Sequence, residues 1–248
     1  MLGIVVALPW ELKTLTKETI PAGTCKSISD NLCIALSGIG SEHAYAAGAL
    51  LLSQGATALL SWGCAAALDD RLEAGNILLP ESIIAATGEV YPVSVDWHQR
   101  LHQSLANRCS VQTGSLVESA AILKTPSEKR TLAGRTRAIA TDMESAAQAR
   151  LAQERKVPFA AVRVVIDTAF TNIPQNVMQF LDTNGEINIR KFLGNASLRP
   201  KDWIAVMKLG MQFNAARKTL TKTSRLVLDT SQTYLAFISQ WASTSPRG

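Results

Sequence analysis

Apolar runs of strand length alternate with helical patterns along the first two thirds of the chain. Residues 3–8, 32–37, 58–63, 76–86, 111–117, 138–140 and 159–166 are largely apolar with little polar alternation. Such runs are expected of strands buried on both faces of a sheet. Between them, residues 9–17, 41–53, 95–107 and 143–153 carry helical patterns. Pro9 suits a first helical position, where its missing N–H would be unpaired anyway, and Thr141-Asp142 with Glu144 supplies acidic chemistry to a helix start. The alternation predicts an α/β fold with a central sheet. After Asp167 the pattern changes. A polar stretch over 168–186 precedes helices over 187–194 and 201–221, and the last twenty residues read as a helix fraying into Ser-Thr-Ser-Pro-Arg-Gly. One domain over residues 1–248 is expected, with 187–248 as a basic helical C-terminal extension.

Composition narrows this picture. Of 248 residues 47% are apolar but only 6% aromatic, so Ala, Leu, Val and Ile build the core, which argues against an all-β sandwich. At this length a single core buries roughly 70–75% of the unfolded surface, so no disulfide or metal staple is required. Residues 44–68 carry no charge and reach membrane-spanning length. Ser53-Gln-Gly-Ala56 interrupts them, so a buried helix, a turn and a buried strand explain them better. Met1 to Leu8 has no basic leader and no cleavage site after it, and reads as a first strand. Cys25, Cys33, Cys64 and Cys109 form no C-x-x-C pair, and three histidines without H-E-x-x-H give no metal-site pattern. A cytoplasmic protein with reduced thiols and no metal is expected.

Net charge is +5 and unevenly placed. Residues 199–225 hold seven basic side chains against the single acid Asp202, so the remainder is near neutral. No aromatic-interleaved basic groove or recognition motif points to nucleic acid.

Two glycine-containing stretches and three carboxylates carry candidate chemistry. Ser37-Gly-Ile-Gly-Ser-Glu-His-Ala44 leaves a strand and enters a helix, like half of a dinucleotide fingerprint. His43 replaces its third glycine and no acid follows about 20 residues on, so what survives is an anion-holding or water-holding turn, or a plain tight turn. Ser61-Trp-Gly-Cys-Ala-Ala-Ala-Leu68 reads as a second small-residue loop, for close ligand approach or for tight packing. Glu11, Glu144 and Asp167 each follow a predicted strand at its C-terminal end, where open α/β sheets place ligands. A partly desolvated Asp167 has a raised pKa and suits a general acid. Glu144 can accept hydrogen bonds from two sugar hydroxyls. Helix N-terminal charge explains any one of the three alone.

Together these stretches resemble the purine nucleoside phosphorylase and nucleosidase superfamily. The resemblance rests on Gly3 to Glu11, Ser37-Gly-Ile-Gly40, Gly63-Cys-Ala-Ala-Ala-Leu68, Thr141-Asp-Met-Glu-Ser-Ala146 and Pro158 to Asp167, which run in the family's order. It implies a three-layer α/β/α sandwich around a mixed, partly barrel-like sheet, and cleavage of a nucleoside N-glycosidic bond. It further implies that Asp167 protonates the purine N7, that Met143 and Glu144 hold the ribose, and that Glu11 positions an attacking water. Gly40, Gly63, Cys64, Ala65 and Ile122 are the remaining expected substrate contacts.

The superfamily's phosphorylases resemble one another in an arginine just before the second glycine stretch, where this chain reads Leu60-Ser-Trp-Gly-Cys64. That departure, with Glu11 nearby, favours water over phosphate, and phosphate remains the one candidate co-substrate. Ala121, where related nucleosidases carry a purine-stacking aromatic, and Ala66-Ala67, in place of Gly-Gly, imply a different or bulkier substrate.

The C-terminal third narrows the resemblance. Asp182 to Arg190, Leu198-Arg-Pro200, Tyr91-Pro92, Trp97, Val162-Arg-Val-Val165 before Asp167 and Ala215-Ala-Arg-Lys-Thr-Leu220 are similar to the hopanoid-associated nucleoside phosphorylase branch. That branch implies release of adenine from adenosylhopane. Methylthioadenosine/S-adenosylhomocysteine nucleosidase or a phosphate-dependent purine nucleoside phosphorylase is the alternative, and a nucleoside-binding protein at a membrane surface is the non-enzymatic one. The resemblance also implies a homodimer. The basic segment Lys201 to Arg225, with Trp203, Ile204, Met207, Leu209, Met211 and Phe213, reads either as a peripheral contact with the inner membrane or as an ordinary helix with a solvated basic face.

Overall fold

The first and last strands along the chain are buried on both faces. The computed structural model describes residues 1–173 and 200–244, with side chains of the final helix described over 207–240. Nine strands form one sheet: β1 (Leu2–Val6), β2 (Thr24–Ser29), β3 (Leu32–Leu36), β4 (Ala58–Ala67), β5 (Ile77–Ile84), β6 (Val90–Pro92), β7 (Val111–Glu118), β8 (Ala140–Asp142) and β9 (Phe159–Asp167). Six helices are described: α1 (Pro9–Leu12), α2 (Ser41–Ser53), α3 (Val95–Ala106), α4 (Pro126–Thr136), α5 (Ser145–Arg155) and α6 (Pro200–Thr244).

β1 pairs in parallel with β3 and with the first half of β4, and β2 adds an antiparallel edge to β3. The second half of β4 leaves β1 and pairs with β8. β4 also pairs with β9, β9 with β5, β5 with β7 and β7 with β8. These pairings close a five-stranded ring, so the sheet is part open sheet and part barrel, as the family resemblance implies.

Alternation along each central strand feeds two cores. Leu2, Ile4 and Val6 of β1, with Ala58, Leu60 and Trp62 of β4 and Ala160, Val162 and Val164 of β9, face α3 and α6. Val5, Leu59, Ala65, Phe159, Ala161 and Val165 face α2 and α5. Both faces being covered explains why these strands read as continuous apolar runs. The three-layer α/β/α arrangement follows.

Several boundaries differ from expectation. The predicted helix over 9–17 forms only as the single turn α1, after which Thr14 Oγ1 donates to the Glu11 carbonyl at 2.6 Å and accepts from Trp62 Nε1 at 3.0 Å. The stretch from Ser61, read as a loop, is strand through Ala67 because it pairs with β9 and then β8. The strand read over 138–140 is Ala140–Asp142, and the helix after it begins at Ser145. Strands β2 and β6 and helix α4 were absent from the expected elements. β2 and β6 are largely exposed edges, and α4 buries only Lys129 fully, so none shows a clear apolar period. The helix expected over 201–221 does not stop there: α6 runs unbroken to Thr244 and takes in the tail read as a fraying helix. Trp97 of α3 stacks on Tyr234 with ring centroids 5.3 Å apart and donates to Ser231 Oγ at 3.1 Å, which holds that tail. The helix expected over 187–194 lies outside the described residues.

Candidate active site

The C-terminal ends of β1, β4, β8 and β9 surround one cavity of ≈ 250 Å³. Glu11, Cys64, Ala65, Ile122, Met143, Glu144 and Asp167 all line it. Seven of the nine expected site residues, scattered from Glu11 to Asp167 in the sequence, therefore meet at one place. The other two act from behind. Gly40 caps α2 with φ 104°, and its N–H donates to Glu144 Oε1 at 2.9 Å. Gly63 lies beneath Glu11 and Arg163, and an added Cβ would stand 2.7 Å from Glu11 Oε1 and 2.4 Å from Arg163 Nη1. Only a residue without a side chain admits both groups there.

Glu11 is held at both oxygens. Oε1 accepts from the Cys64 N–H at 2.9 Å and Oε2 from the Leu8 N–H at 3.1 Å. The single turn α1 that carries it is anchored by Trp10, whose ring sits 4.7 Å from that of Phe213 in α6. Burial pushes the Glu11 carboxyl above its ordinary pKa, against the pull of the Arg163 charge. The same burial, with Glu11 close by, pushes the Cys64 thiol well up, so it stays protonated.

Glu144 occupies the N-cap position of α5 and is buried. Burial, and then the neighbouring Asp142 charge, push its pKa up to about 7, while Arg163 and the Gly40 amide oppose them. A group poised there switches between hydrogen-bond acceptor and donor near neutrality.

Arg163 was not among the expected site residues. It sits in mid-strand in β9, almost fully buried, with Nη2 2.8 Å from Asp142 Oδ2. Nη2 also donates to Ser61 Oγ at 2.6 Å and to Ser145 Oγ at 2.9 Å. One cation thus lies among Asp142, Glu144 and Glu11 and offsets part of their mutual repulsion. A charged residue inside an otherwise apolar strand run was the legible signal for it, since buried charges require partners.

Asp167 ends β9, where the register against β4 shifts by one residue between Ala65 and Ala66. Burial raises its pKa, and Lys129 lowers it. Lys129 is fully buried, donates to Asp167 Oδ2 and donates to the Thr168 carbonyl at 2.6 Å. It too went unread, because nothing in a polar helix marks one lysine for burial.

The rest of the wall is mostly apolar: Ala7, Leu8, Ile39, Ala66, Leu123, Ile166, Ile173, Leu209 and Phe213 contribute to it, with Ser119, Thr141 and Asp142 as its polar members. Leu209 and Phe213 of α6 therefore face the cavity, whereas Met207 and Met211 are exposed. Side chains of Trp203 and Ile204 lie outside the described ones.

Carboxylates thus stand at strand ends of an α/β fold around a largely apolar cavity. The family model of the phosphorylase superfamily matches residues 2–193, and the chain belongs to that superfamily. No curated protein matches the chain at a significant level. Among solved structures it is similar to the Helicobacter pylori 5′-methylthioadenosine/S-adenosylhomocysteine nucleosidase, at 17% identity and TM-score 0.70 over 94% of this chain and 97% of that one. It is also similar to the futalosine hydrolase of the same organism, at 16% identity and TM-score 0.69 over 94% and 97%. The Neisseria meningitidis 5′-methylthioadenosine/S-adenosylhomocysteine nucleosidase, solved with methylthio-immucillin-A, matches at 16% identity and TM-score 0.65 over 92% and 96%. These likenesses establish the shared fold.

Proposed function

We propose that the protein hydrolyses the N-glycosidic bond of a 5′-substituted adenosine and releases adenine. The observation that carries this is the grouping of Asp167, Glu144 and Glu11 in one cavity, each held by named donors and each pushed above its ordinary pKa by burial. Asp167 gives its proton to the purine N7, which turns a poor leaving anion into a neutral base. The C1′–N9 bond breaks with its electron pair going to the base, and positive charge develops on the ribosyl ring. Glu144 accepts hydrogen bonds from the 2′- and 3′-hydroxyls, and its charge favours that cation. Glu11 orients water toward C1′ and takes its proton.

Water is favoured over phosphate because the described wall brings four carboxylates, those of Glu11, Asp142, Glu144 and Asp167, to the cavity and no Arg or Lys. An incoming phosphate dianion would be repelled. The apolar stretch of Leu8, Leu209 and Phe213 supports an apolar 5′ substituent, and the limiting case is a triterpenoid such as that of adenosylhopane. The cavity volume favours a second reading, since ≈ 250 Å³ suits a nucleoside with a small thioether such as methylthioadenosine.

A peripheral membrane contact is proposed for the outer face of α6. Met207, Lys208, Met211, Lys218, Lys222 and Arg225 are exposed along it at helical spacing, which supports apolar insertion beside lipid phosphates. Among the described residues no helix is long and apolar enough to cross a membrane. A homodimer is proposed as well. A neighbouring groove lined by His43, Tyr91 and Arg150 shares Ile39, Ser119 and Met143 with the cavity, so a second copy seated there would border the site.

Free adenine measured after incubation with adenosine, methylthioadenosine and adenosylhopane tests the reading. Release from at least one 5′-substituted substrate at a higher kcat/KM than from adenosine is expected. Release from none of the three would overturn it.

A further inference from the structure

Lys129 is a fully buried cation that the proposed chemistry does not use. Its place is set by helix α4, whose start is locked in three ways. Pro126 takes the first helical position, Thr125 Oγ1 accepts from the Glu128 N–H at 3.2 Å, and Glu128 Oε2 accepts from the N–H groups of Lys124 and Thr125 at 2.7 and 2.9 Å. The carbonyl of Lys124 accepts from the Ile173 N–H at 2.8 Å, which ties α4 to the chain beyond Asp167. Inside that chain Thr168 N–H donates to Thr171 Oγ1 at 3.1 Å. The Lys129 ammonium then bridges the Asp167 carboxylate and the Thr168 carbonyl. A buried charge survives only with partners such as these; one partner is the residue assigned as proton donor and the other is the carbonyl of the residue that follows it.

Resting on the function proposed above, we propose that Lys129 is a positioning residue for protonation of the leaving base: it occupies Asp167 Oδ2, leaves Oδ1 to face the base, and stabilises the carboxylate formed when the proton departs. In the step the Asp167 Oδ1–H bond breaks and N7–H forms as the C1′–N9 pair moves into the purine. The negative charge left on Asp167 is met by the ammonium already in place, so no charge has to move in from solvent. Lys129 is the charged group that bears on Asp167. The other charges of the site, Glu11, Asp142, Glu144 and Arg163, act on one another.

The test compares two substrates that differ in their need for an acid. Adenine release from methylthioadenosine needs N7 protonation, whereas 4-nitrophenyl riboside loses a stable phenolate without it. Lys129→Gln keeps a hydrogen-bond donor and removes the charge. It is expected to lower kcat for adenine release by at least about tenfold, the equivalent of one pKa unit, while 4-nitrophenol release stays within about threefold of wild type. The basic limb of the pH profile for adenine release moves to higher pH, because Asp167 without its cation holds its proton longer. Lys129→Arg restores the limb.

Equal losses on both substrates, or an unmoved limb, overturn the proposal. Lys129→Met, an apolar chain of similar length, carries the same expectations if the Gln variant does not fold. Asp167→Asn in the same assay separates the two layers. If it spares adenine release, the proposed function fails. If it abolishes adenine release alone while Lys129→Gln behaves as wild type, only the role of Lys129 fails.

Discussion

Arg163 Nη2 lies 2.8 Å from Asp142 Oδ2, and both side chains are buried beneath the cavity. This pair connects the barrel strand β9 to the strand that delivers Glu144, and Ser61 and Ser145 complete the guanidinium's hydrogen bonds. Removing one partner of such a pair leaves an uncompensated buried charge, at a cost of about 3–5 kcal/mol. Arg163→Met is therefore expected to lose about that much stability in urea unfolding at pH 7. A loss under about 1 kcal/mol would contradict the pair's assigned role.

Gly63 faces the same network from β4. An Ala methyl there would stand 2.4 Å from Arg163 Nη1 and 2.7 Å from Glu11 Oε1, and both belong to charged groups already held by other bonds. Gly63→Ala is expected to cost about 1–3 kcal/mol in stability. It should also lower kcat by ten- to a hundredfold, on the order of what a displaced catalytic group costs. A steady-state assay with unchanged kcat would show that Glu11 need not stay where it is.

Glu144 gives stability a pH dependence of definite sign. Its folded pKa of about 7 lies above the ordinary glutamate value, so the folded protein holds a proton that the unfolded chain has released. That contribution is fully present below about pH 4.3 and is lost as pH rises toward 7. Glu11 and Asp167, raised in the same direction, add to the trend. Thermal melts of the ligand-free protein should fall in Tm between pH 5 and 7.5, and Glu144→Gln should flatten part of the slope. A slope unchanged in that variant would remove Glu144 from the account.

The outer face of α6 yields a prediction independent of catalysis. Co-sedimentation with anionic vesicles should be lost when Lys208, Lys218, Lys222 and Arg225 are replaced by Ala, because each cation near such a surface contributes about 1 kcal/mol. Wild type remaining in solution at low salt would leave that face as a solvated helix surface.

How much of this was legible follows the physics of burial. Strands β1, β4 and β9 announced themselves because both faces are covered; the ends of β1 and β9 pointed to Glu11 and Asp167, and the end of the short run at 138–140 pointed to Glu144. The edge strands β2 and β6 did not, since their exposed side chains carry no apolar period. The stretch at Ser61 read as a loop because small residues allow ligand approach in either state, and only its pairing with β8 and β9 distinguishes strand. Arg163 showed only as a charge inside an apolar run, and Lys129 showed no signal in its polar helix; the partners that give each a role, Asp142 and Asp167, are distant in sequence and meet them only in the fold.

The central claim is that Asp167 protonates a departing adenine and water captures the sugar. Adenine release from methylthioadenosine by wild type and by Asp167→Asn, in phosphate-free buffer and with added phosphate, tests it most directly. The account predicts wild-type release at a rate indifferent to phosphate, and a fall of about 10²–10⁴-fold in the folded variant. Release that requires phosphate, or a variant as active as wild type, would contradict it.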